Sequence, residues 1–407
     1  MEKFTIERLG MEGNGIAAAP DGTVYVPFAL PGEVVEGRRE AAMLRDVKIL
    51  TPAAGRVKAP CAHFGRCGGC SLQHASDEFL AGWKQDVVAR ALHAQGLDTT
   101  FKPVATSPSH SRRRATFTGR RTRKTEQIGF YESGSDTLVD LSECHILRPA
   151  LMAARPVLNA IVRAGGSRNG ALRLVVTESI EGLDVLVSGG KPLDIGLRAT
   201  LAGLAEAHDL ARVTWDEDQI ALRRRPVQRF GKALVAPPPG AFLQATAEGE
   251  AALLAAVREA VGPAKRIADL FAGCGTFALP LAEQAEVLAV EGEAAMVAAM
   301  DRGWREAQGL HKVVSLTRDL FRRPLLPDEL KLFDAVVIDP PRAGAAAQIA
   351  ELAQSTVKVV AAVSCNPVTF ARDARVLVDA GFKLDWVQVV DQFRWSGHVE
   401  LAAKFSR

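Results

Sequence analysis

The sequence predicts a multidomain protein in which mainly β regions precede a C-terminal, doubly wound α/β domain. The chain has 407 residues, which is more than one ordinary domain holds. Short β-type runs separated by turn residues dominate it up to about Gly240, whereas helical and apolar strand patterns alternate from Thr246 onward. Hydrophobic residues make up 48% of the chain, which is typical of a globular protein rather than a disordered one.

Residues 1–58 are predicted to form a small antiparallel β-barrel. Asp21-Gly22 and Pro31-Gly32 supply turns between its short strands. The layout resembles the TRAM domain, an OB-type RNA-binding module, and five-stranded barrels of this kind often bind oligonucleotides. A docking barrel without a ligand is the alternative. The five β-type runs are Phe4–Ile6, Gly15–Ala17, Thr23–Val26, Glu33–Val35 and Val47–Leu50.

Four cysteines in the predicted middle domain, residues 59–240, indicate a metal centre. Cys61, Cys67 and Cys70 are separated by five and then two residues, and Cys144 lies far along the chain. Zinc ribbons usually show two Cys-x-x-Cys pairs, so three clustered cysteines and a remote one suit an iron–sulfur cluster better. Thiolates bind both metals, and only the spacing separates the two interpretations.

A helix and a basic stretch follow these first cysteines. Residues 77–97 have apolar side chains at helical spacing, so this helix must pack against another element. Seven cations and no acid lie in Arg112–Arg114 and Gly119–Lys124, with Phe117 between them. Basic side chains with aromatic neighbours favour phosphate neutralisation and base stacking, whereas a solvated strand face is the alternative. Further β-type runs lead to a proline-rich boundary near Ala236–Gly240.

Residues 241–407 are predicted to form a doubly wound, mostly parallel sheet, because helices alternate with apolar strands. The predicted strands are Arg266–Phe271, Val287–Val290, Lys312–Leu316, Phe333–Ile338, Val357–Val363, Leu384–Val390 and Val399–Phe405.

The first of these strands ends in a glycine-rich turn that suits a nucleotide-type cofactor. Gly273 and Gly275 permit a tight turn and a close approach of the backbone to a ligand. Glu291 ends the second strand, where it could accept hydrogen bonds from both hydroxyls of a ribose. The same glycine pattern suits a nicotinamide cofactor as well as S-adenosylmethionine.

Two motifs at later strand ends favour methyl transfer to a base. Asp339-Pro340-Pro341-Arg342 places an acid beside a rigid wall, and Cys365 ends the next strand. A dehydrogenase has no evident use for this arrangement, whereas a base methyltransferase does. Asp319, after the third strand, is suited to the adenine side of the cofactor. The alternative for Cys365 is a buried, inert thiol, as for most free cysteines.

These motifs together resemble the RNA (uracil-5-)-methyltransferase family, in particular its iron–sulfur branch that modifies ribosomal RNA. The resemblance rests on Asp-x-Phe-x-Gly-x-Gly-Thr-Phe at 269–277, Asp-Pro-Pro-Arg at 339–342, Ser-Cys-Asn-Pro at 364–367 and His-Val-Glu at 398–400. It implies that Cys365 is the nucleophile, that Glu400 is the base and that Asp339 also belongs to the catalytic site. It further implies that the four cysteines hold a [4Fe–4S] cluster and that the helix at residues 77–97 can pack against the catalytic domain. The implied S-adenosylmethionine and uracil pocket comprises Gln244, Phe271, Gly273, Gly275, Thr276, Glu291, Asp319 and Asp339.

The resemblance implies methylation of carbon 5 of a uridine in RNA, with 23S rRNA as the expected substrate. A tRNA methyltransferase, a nicotinamide-dependent iron–sulfur oxidoreductase and an RNA-binding assembly factor are the alternatives. The charged N-terminus lacks the apolar segment of a signal peptide, and no apolar run reaches membrane-spanning length. We therefore expect a cytoplasmic monomer without membrane contact.

Overall fold

The computed structural model describes all 407 residues and begins with a six-stranded, barrel-like sheet. Its strand order is β1-β5-β6-β4-β3-β2, and all pairs are antiparallel except β4 with β6. Ile6, Val24 and Val35 lie in its small core. The five predicted runs correspond to five of these strands, and the two-residue β2 was not predicted. The strands are β1 (Glu2–Thr5), β2 (Arg8–Leu9), β3 (Gly15–Ala19), β4 (Gly22–Val26), β5 (Val34–Glu40) and β6 (Met43–Thr51).

A segment without helix or strand carries Cys61, Cys67 and Cys70 and leads to helix α1 (Asp77–His93) and strand β7 (Thr100–Thr106). The Ser76 side chain caps α1 by accepting a hydrogen bond from the Phe79 N–H.

The middle of the chain forms a seven-stranded sheet with the order β10-β9-β8-β11-β12-β13-β14. Only the β12–β13 pair is parallel, so the prediction of a mainly antiparallel domain is confirmed. A separate two-stranded sheet, β15 with β16, follows it. The elements are β8 (Arg114–Arg121), β9 (Glu126–Tyr131), β10 (Leu138–Asp140), α2 (Pro149–Ala153), α3 (Arg155–Gly165), β11 (Ala171–Ser179), β12 (Gly182–Ser188), α4 (Ile195–Ala207), β13 (Arg212–Trp215), β14 (Asp218–Leu222), β15 (Gln228–Phe230) and β16 (Ala233–Val235).

The C-terminal domain contains an eight-stranded sheet with the order β19-β18-β17-β20-β21-β23-β22-β7. Every neighbouring pair is parallel except the two pairs that contain β23. The predicted doubly wound domain and all seven of its predicted strands are confirmed. The elements are α5 (Ala247–Val261), β17 (Arg266–Leu270), α6 (Ala278–Leu281), β18 (Glu286–Glu291), α7 (Ala294–Glu306), β19 (Val313–Thr317), α8 (Pro327–Leu330), β20 (Ala335–Ile338), α9 (Ala346–Gln354), β21 (Val359–Ser364), α10 (Pro367–Asp379), β22 (Lys383–Asp391) and β23 (Glu400–Ser406).

Two elements from before the middle sheet belong to this C-terminal layer. Strand β7 pairs in parallel with β22 at the edge of the sheet. Helix α1 packs against α10, and its Leu80 and Val88 share a core with Phe370. The domain boundary predicted at residue 240 places both elements in the middle domain. The resemblance nevertheless implies that the helix can pack against the catalytic domain. Strand β7 was not predicted, because Thr100–Thr106 contains a proline and no clear apolar alternation.

None of the helices combines the length and the apolar character that a membrane span requires.

Candidate active site

Cys365 lies directly after β21, at the carboxyl edge of the C-terminal sheet. Asn366 ends the strand and caps α10, since its Oδ1 accepts a hydrogen bond from the Val368 N–H (3.1 Å). Its Nδ2 donates to the Arg342 carbonyl oxygen (2.9 Å), which fixes the Asp-Pro-Pro-Arg loop beside the thiol. Strand, cap and loop thus hold a half-buried cysteine where ligands of parallel sheets bind.

Two carboxyl groups share this edge with Cys365. Asp339 follows β20, and Glu400 opens the reversed strand β23 and is 3% exposed. Because β23 runs against its neighbours, its first residue lies at the same edge as the last residues of the parallel strands. Residues far apart in sequence therefore meet in one cleft.

A chain of side-chain amides joins the two carboxyl groups. Gln392 Nε2 donates to Glu400 Oε2 and to Gln244 Oε1 (2.5 Å). Gln244 Nε2 in turn lies 3.4 Å from Asp339 Oδ2. Of these residues, only Gln392 has no place in any motif recognised in the sequence.

The cleft favours the protonated forms of all three acidic groups. Burial raises the pKa of Glu400 to about 7, and the hydrogen bond from Gln392 opposes this rise. Burial, followed by the charges of Glu400 and Asp269, raises the pKa of Asp339 well above its usual value. Burial and the two nearby carboxylates raise the pKa of Cys365 to about 11, whereas the Arg342 guanidinium and a backbone hydrogen bond favour its thiolate. The cleft can thus supply a nucleophile and a base, provided that Cys365 and Glu400 release their protons in the course of the reaction.

The glycine turn after β17 leaves open space for a ligand. Gly273 has a φ of +57°, and a Cβ placed there would meet nothing within 4 Å. Gly275 has a φ of +92°, and a Cβ there would approach Leu279 to 2.8 Å. Gly273 therefore faces an empty cleft, whereas Gly275 is required for packing. Thr276 lies half-buried beside them.

Two acids border this turn. Glu291 accepts hydrogen bonds from the N–H groups of Gly273 (3.0 Å) and Glu293 (2.9 Å), and each carboxylate oxygen keeps a further acceptor position. Asp269 is fully buried, and neither of its carboxyl oxygens has a hydrogen-bond partner. Burial raises the pKa of Asp269 to about 8. The open cradle, the acceptors of Glu291 and the orphaned acid fit a bound nucleoside.

An aromatic pair lies beside the loop that carries Asp319. The ring of Phe271 lies 5.4 Å from that of Phe321, which is 49% exposed. Phe271 also has a φ of +63°, a strained value for a residue with a side chain. Asp319 Oδ1 accepts a hydrogen bond from the Phe321 N–H (2.9 Å), so Asp319 shapes this loop. Phe321 was not identified from the sequence, and an apolar residue two positions after Asp319 is a weak signal.

All four cysteines of the predicted metal centre line one cavity of about 410 Å³. Burial and, after it, the charges of the other three cysteines raise the pKa of Cys70 to about 12. A bound cation would relieve this repulsion, and soft thiolates suit iron or zinc. The geometry does not bring three metal-binding side chains into position for a single ion. The same cavity is lined by four residues shortly before Glu400, namely Phe393, Arg394, Ser396 and His398.

The basic stretch divides into a buried and an exposed part. Arg113 is 6% exposed, pairs with Glu250 (2.5 Å) and donates to the Gln244 carbonyl oxygen (3.1 Å). Phe117 is fully buried and stacks on Phe130 at 5.4 Å between ring centroids. Neither side chain is available to RNA, contrary to the expected base-stacking surface. Arg123 and Lys124 are exposed in the β8–β9 turn.

Full-length relatives match the whole chain, whereas a family model matches its C-terminal part. A family model for tRNA (uracil-5-)-methyltransferases matches residues 231–407. An uncharacterized RNA methyltransferase of Brucella suis is 43% identical over 405 residues, which cover 100% of this chain and 98% of the relative. The 23S rRNA (uracil(1939)-C(5))-methyltransferase of Pseudomonas fluorescens is 34% identical, with 99% of this chain and 94% of the relative covered.

Among solved structures, the Pyrococcus abyssi tRNA (uracil-54, C5)-methyltransferase in complex with S-adenosyl-L-homocysteine has the same fold. The match covers 99% of both chains with a TM-score of 0.79 and 23% sequence identity.

Proposed function

The chain belongs to the tRNA (uracil-5-)-methyltransferase family and is an RNA methyltransferase, and from this membership we propose that it methylates a uridine of 23S rRNA through a covalent adduct on Cys365. The observation that carries the proposal is the meeting of Cys365, Asp339 and Glu400 at one edge of the sheet, beside an open glycine cradle. Family membership favours a methyl donor over the nicotinamide cofactor that the glycine pattern alone also permits.

The Cys365 sulfur would activate the uracil ring, which is the main chemical difficulty of this reaction. Carbon 5 of uracil is too weak a nucleophile to attack a sulfonium methyl group unaided. When the Cys365 sulfur bonds to carbon 6, the electron pair of the double bond moves onto the ring as an enolate. Carbon 5 then accepts the methyl group, which S-adenosylmethionine supplies when bound.

Glu400 completes the cycle. It takes the proton from carbon 5, the double bond between carbons 5 and 6 forms again, and the sulfur leaves as a thiolate. General-base help of this kind is typically worth ~10²–10⁴ in rate. Burial raises the pKa of Glu400 to about 7, which suits a base that must give up its proton between cycles at neutral pH.

Asp339 and Gln244 are proposed to recognise the uracil edge. Their interaction is long at 3.4 Å, so a ring could insert and offer its own N–H and carbonyl groups. The target nucleotide must leave any stacked helix to reach the cleft, at a cost of a few kcal/mol.

We assign S-adenosylmethionine to the cradle formed by Gly273, Glu291 and the Phe271–Phe321 pair, with Thr276 and Asp319 beside it. The open space at Gly273 and the free acceptor positions of Glu291 support the assignment. We also propose that Cys61, Cys67, Cys70 and Cys144 hold a [4Fe–4S] cluster. Methyl transfer requires no electron, so this cluster would serve to hold chain segments together.

The 23S rRNA substrate is supported by the Pseudomonas relative, which matches along nearly its whole length. A tRNA substrate is the alternative. Mass-spectrometric mapping of 5-methyluridine in RNA from cells lacking the protein would distinguish the two, since one uridine should lose its methyl group.

Variants of Cys365 and Glu400 should fail at opposite ends of the cycle. Cys365→Ala should bind RNA and cofactor but form no adduct and transfer no methyl group. Glu400→Gln should accumulate a denaturation-resistant protein–RNA complex that already carries the methyl group, because proton removal is blocked. Gel electrophoresis and mass spectrometry measure both outcomes. Activity in Cys365→Ala, together with no adduct in Glu400→Gln, would refute both assignments.

A further inference from the structure

We propose that Gln392 is a positioning residue that orients the base Glu400 and couples it to the uracil-binding end of the cleft. This inference rests on the proposed function, in which Glu400 removes the carbon 5 proton. Gln392 lies directly after β22, is 2% exposed and contacts both Glu400 and Gln244.

The orientation of the Gln392 amide follows from its surroundings. The Ala245 backbone N–H donates to Gln392 Oε1 (2.8 Å). A backbone N–H can only donate, so the oxygen must occupy this position and the NH₂ group must face the cleft. Both amide hydrogens are then used, one toward Glu400 and the other toward Gln244. Because Gln244 accepts through Oε1, its own NH₂ group is directed toward Asp339.

The backbone that carries Gln392 is fixed on both sides. Lys84, fully buried on α1, donates to Asp391 Oδ1 (2.5 Å) and to the Phe393 carbonyl oxygen (3.0 Å). A Cβ placed on Gly249, in the first turn of α5, would approach the Gln392 Cβ to 2.7 Å. Gln392 therefore has little freedom to turn away from Glu400.

This arrangement assigns different tasks to the two oxygens of Glu400. Oε2 receives the hydrogen bond from Gln392, and Oε1 remains free to take the proton. As the C5–H bond breaks, its electron pair forms the double bond and the C6–S bond releases a thiolate. A donor at Oε2 favours the carboxylate, which is the form that acts as a base.

Removal of this donor should therefore shift the pH dependence of adduct resolution. In Gln392→Leu, the acid limb of the pH–rate profile should move up by about one to two pH units, as expected for the loss of a hydrogen bond to a charged group. At neutral pH, resolution should slow by roughly 5- to 50-fold, and a methylated adduct should accumulate as in Glu400→Gln. The rate should recover at higher pH. Single-turnover assays with full-length protein and substrate RNA measure both effects.

A second variant and a matched control separate positioning from stability. Gln392→Glu keeps the shape and the acceptor for the Ala245 N–H but replaces the NH₂ donor by a second carboxylate, whose repulsion should move the acid limb up at least as far, even if Gln392→Leu unfolds. Gln348 is fully buried and exchanges two hydrogen bonds with Leu325. Gln348→Leu should therefore lower stability without moving the acid limb.

The positioning role would be overturned if the Gln392 variants lost rate equally at every pH. It would also be overturned if they kept the wild-type pH–rate profile and accumulated no adduct. The proposed function would survive this result if Glu400→Gln still accumulated adduct. Absence of adduct in Glu400→Gln would instead overturn the assignment of the base, and the role of Gln392 with it.

Discussion

At the scale of single residues, the main feature of the candidate site is that its acidic side chains favour their protonated forms. Cys365, Asp339 and Glu400 lie in one cleft where protein replaces water, so each charged form is disfavoured. The negative charges of Asp339 and Glu400 would also repel a Cys365 thiolate. The Cys365 thiol is therefore expected to be inert in the free protein, and as the proposed nucleophile it would become reactive only when substrate changes the charges around it.

This view predicts slow alkylation of Cys365 in the free protein. With a pKa of about 11, on the order of one thiol in 10⁴ is ionised at pH 7. Its reaction with iodoacetamide, followed by peptide mass spectrometry, should accelerate about tenfold per pH unit between pH 7 and 10. Arg342→Gln should slow the reaction, because the guanidinium favours the thiolate. Labelling at pH 7 as fast as that of free cysteine would contradict the prediction.

At the scale of elements, the cysteine segment joins three parts of the molecule. Phe64 packs against Phe28 of the N-terminal region at 5.1 Å, and the Gly68 N–H donates to the Tyr131 carbonyl oxygen (2.9 Å) in the middle sheet. The N–H groups of Ser71 and Leu72 both donate to the carbonyl oxygen of Trp395, in the loop before Glu400. A cluster bound between Cys61, Cys67, Cys70 and Cys144 would therefore stabilise the approach to the active site.

Replacement of one of the four cysteines should reveal the structural role of the proposed cluster. Protein purified without oxygen should be brown and contain iron and sulfide. Cys70→Ser should lose colour and solubility together, since unpaired buried thiols would remain around an empty cavity. Cys274→Ser is the control, because Cys274 lies near the glycine turn and outside this cavity. Metal analysis that finds one zinc in a colourless protein would refute the cluster.

At the scale of the whole molecule, the exposed cations of the basic stretch, Arg123 and Lys124, lie far from the cleft. Arg113 lies beside Gln244, and β8 begins at the next residue. Eight residues of strand extend about 26 Å, so the turn with Arg123 and Lys124 lies well outside the reach of a single nucleotide. We infer that the phosphate backbone of the RNA contacts the middle sheet while one uridine enters the cleft.

Charge removal at the β8–β9 turn should therefore weaken binding rather than chemistry. In Arg121→Gln/Arg123→Gln/Lys124→Gln, the slope of log affinity against log salt should fall by roughly one for each lost phosphate contact. Arg113→Gln should instead lower the melting temperature, because it leaves Glu250 buried without its partner. Lys331→Gln, an exposed change on the C-terminal domain, is the control. Unchanged RNA binding in the triple variant would identify the turn as an ordinary solvated surface.

The sequence by itself determined the local features of this protein. Apolar runs predicted the strands that end in Asp339 and Cys365, glycines predicted the cofactor turn, and spacing singled out four cysteines that line one cavity. These signals are readable because each depends on a few neighbouring residues. Only the tertiary structure decided which distant residues meet. It placed β7 in the C-terminal sheet, buried Arg113 and Phe117, and set Gln392 between Glu400 and Gln244. Gln392 carries no pattern of its own, and the basic run that includes Arg113 does not reveal its burial. Both roles depend on hydrogen bonds to segments more than a hundred residues away.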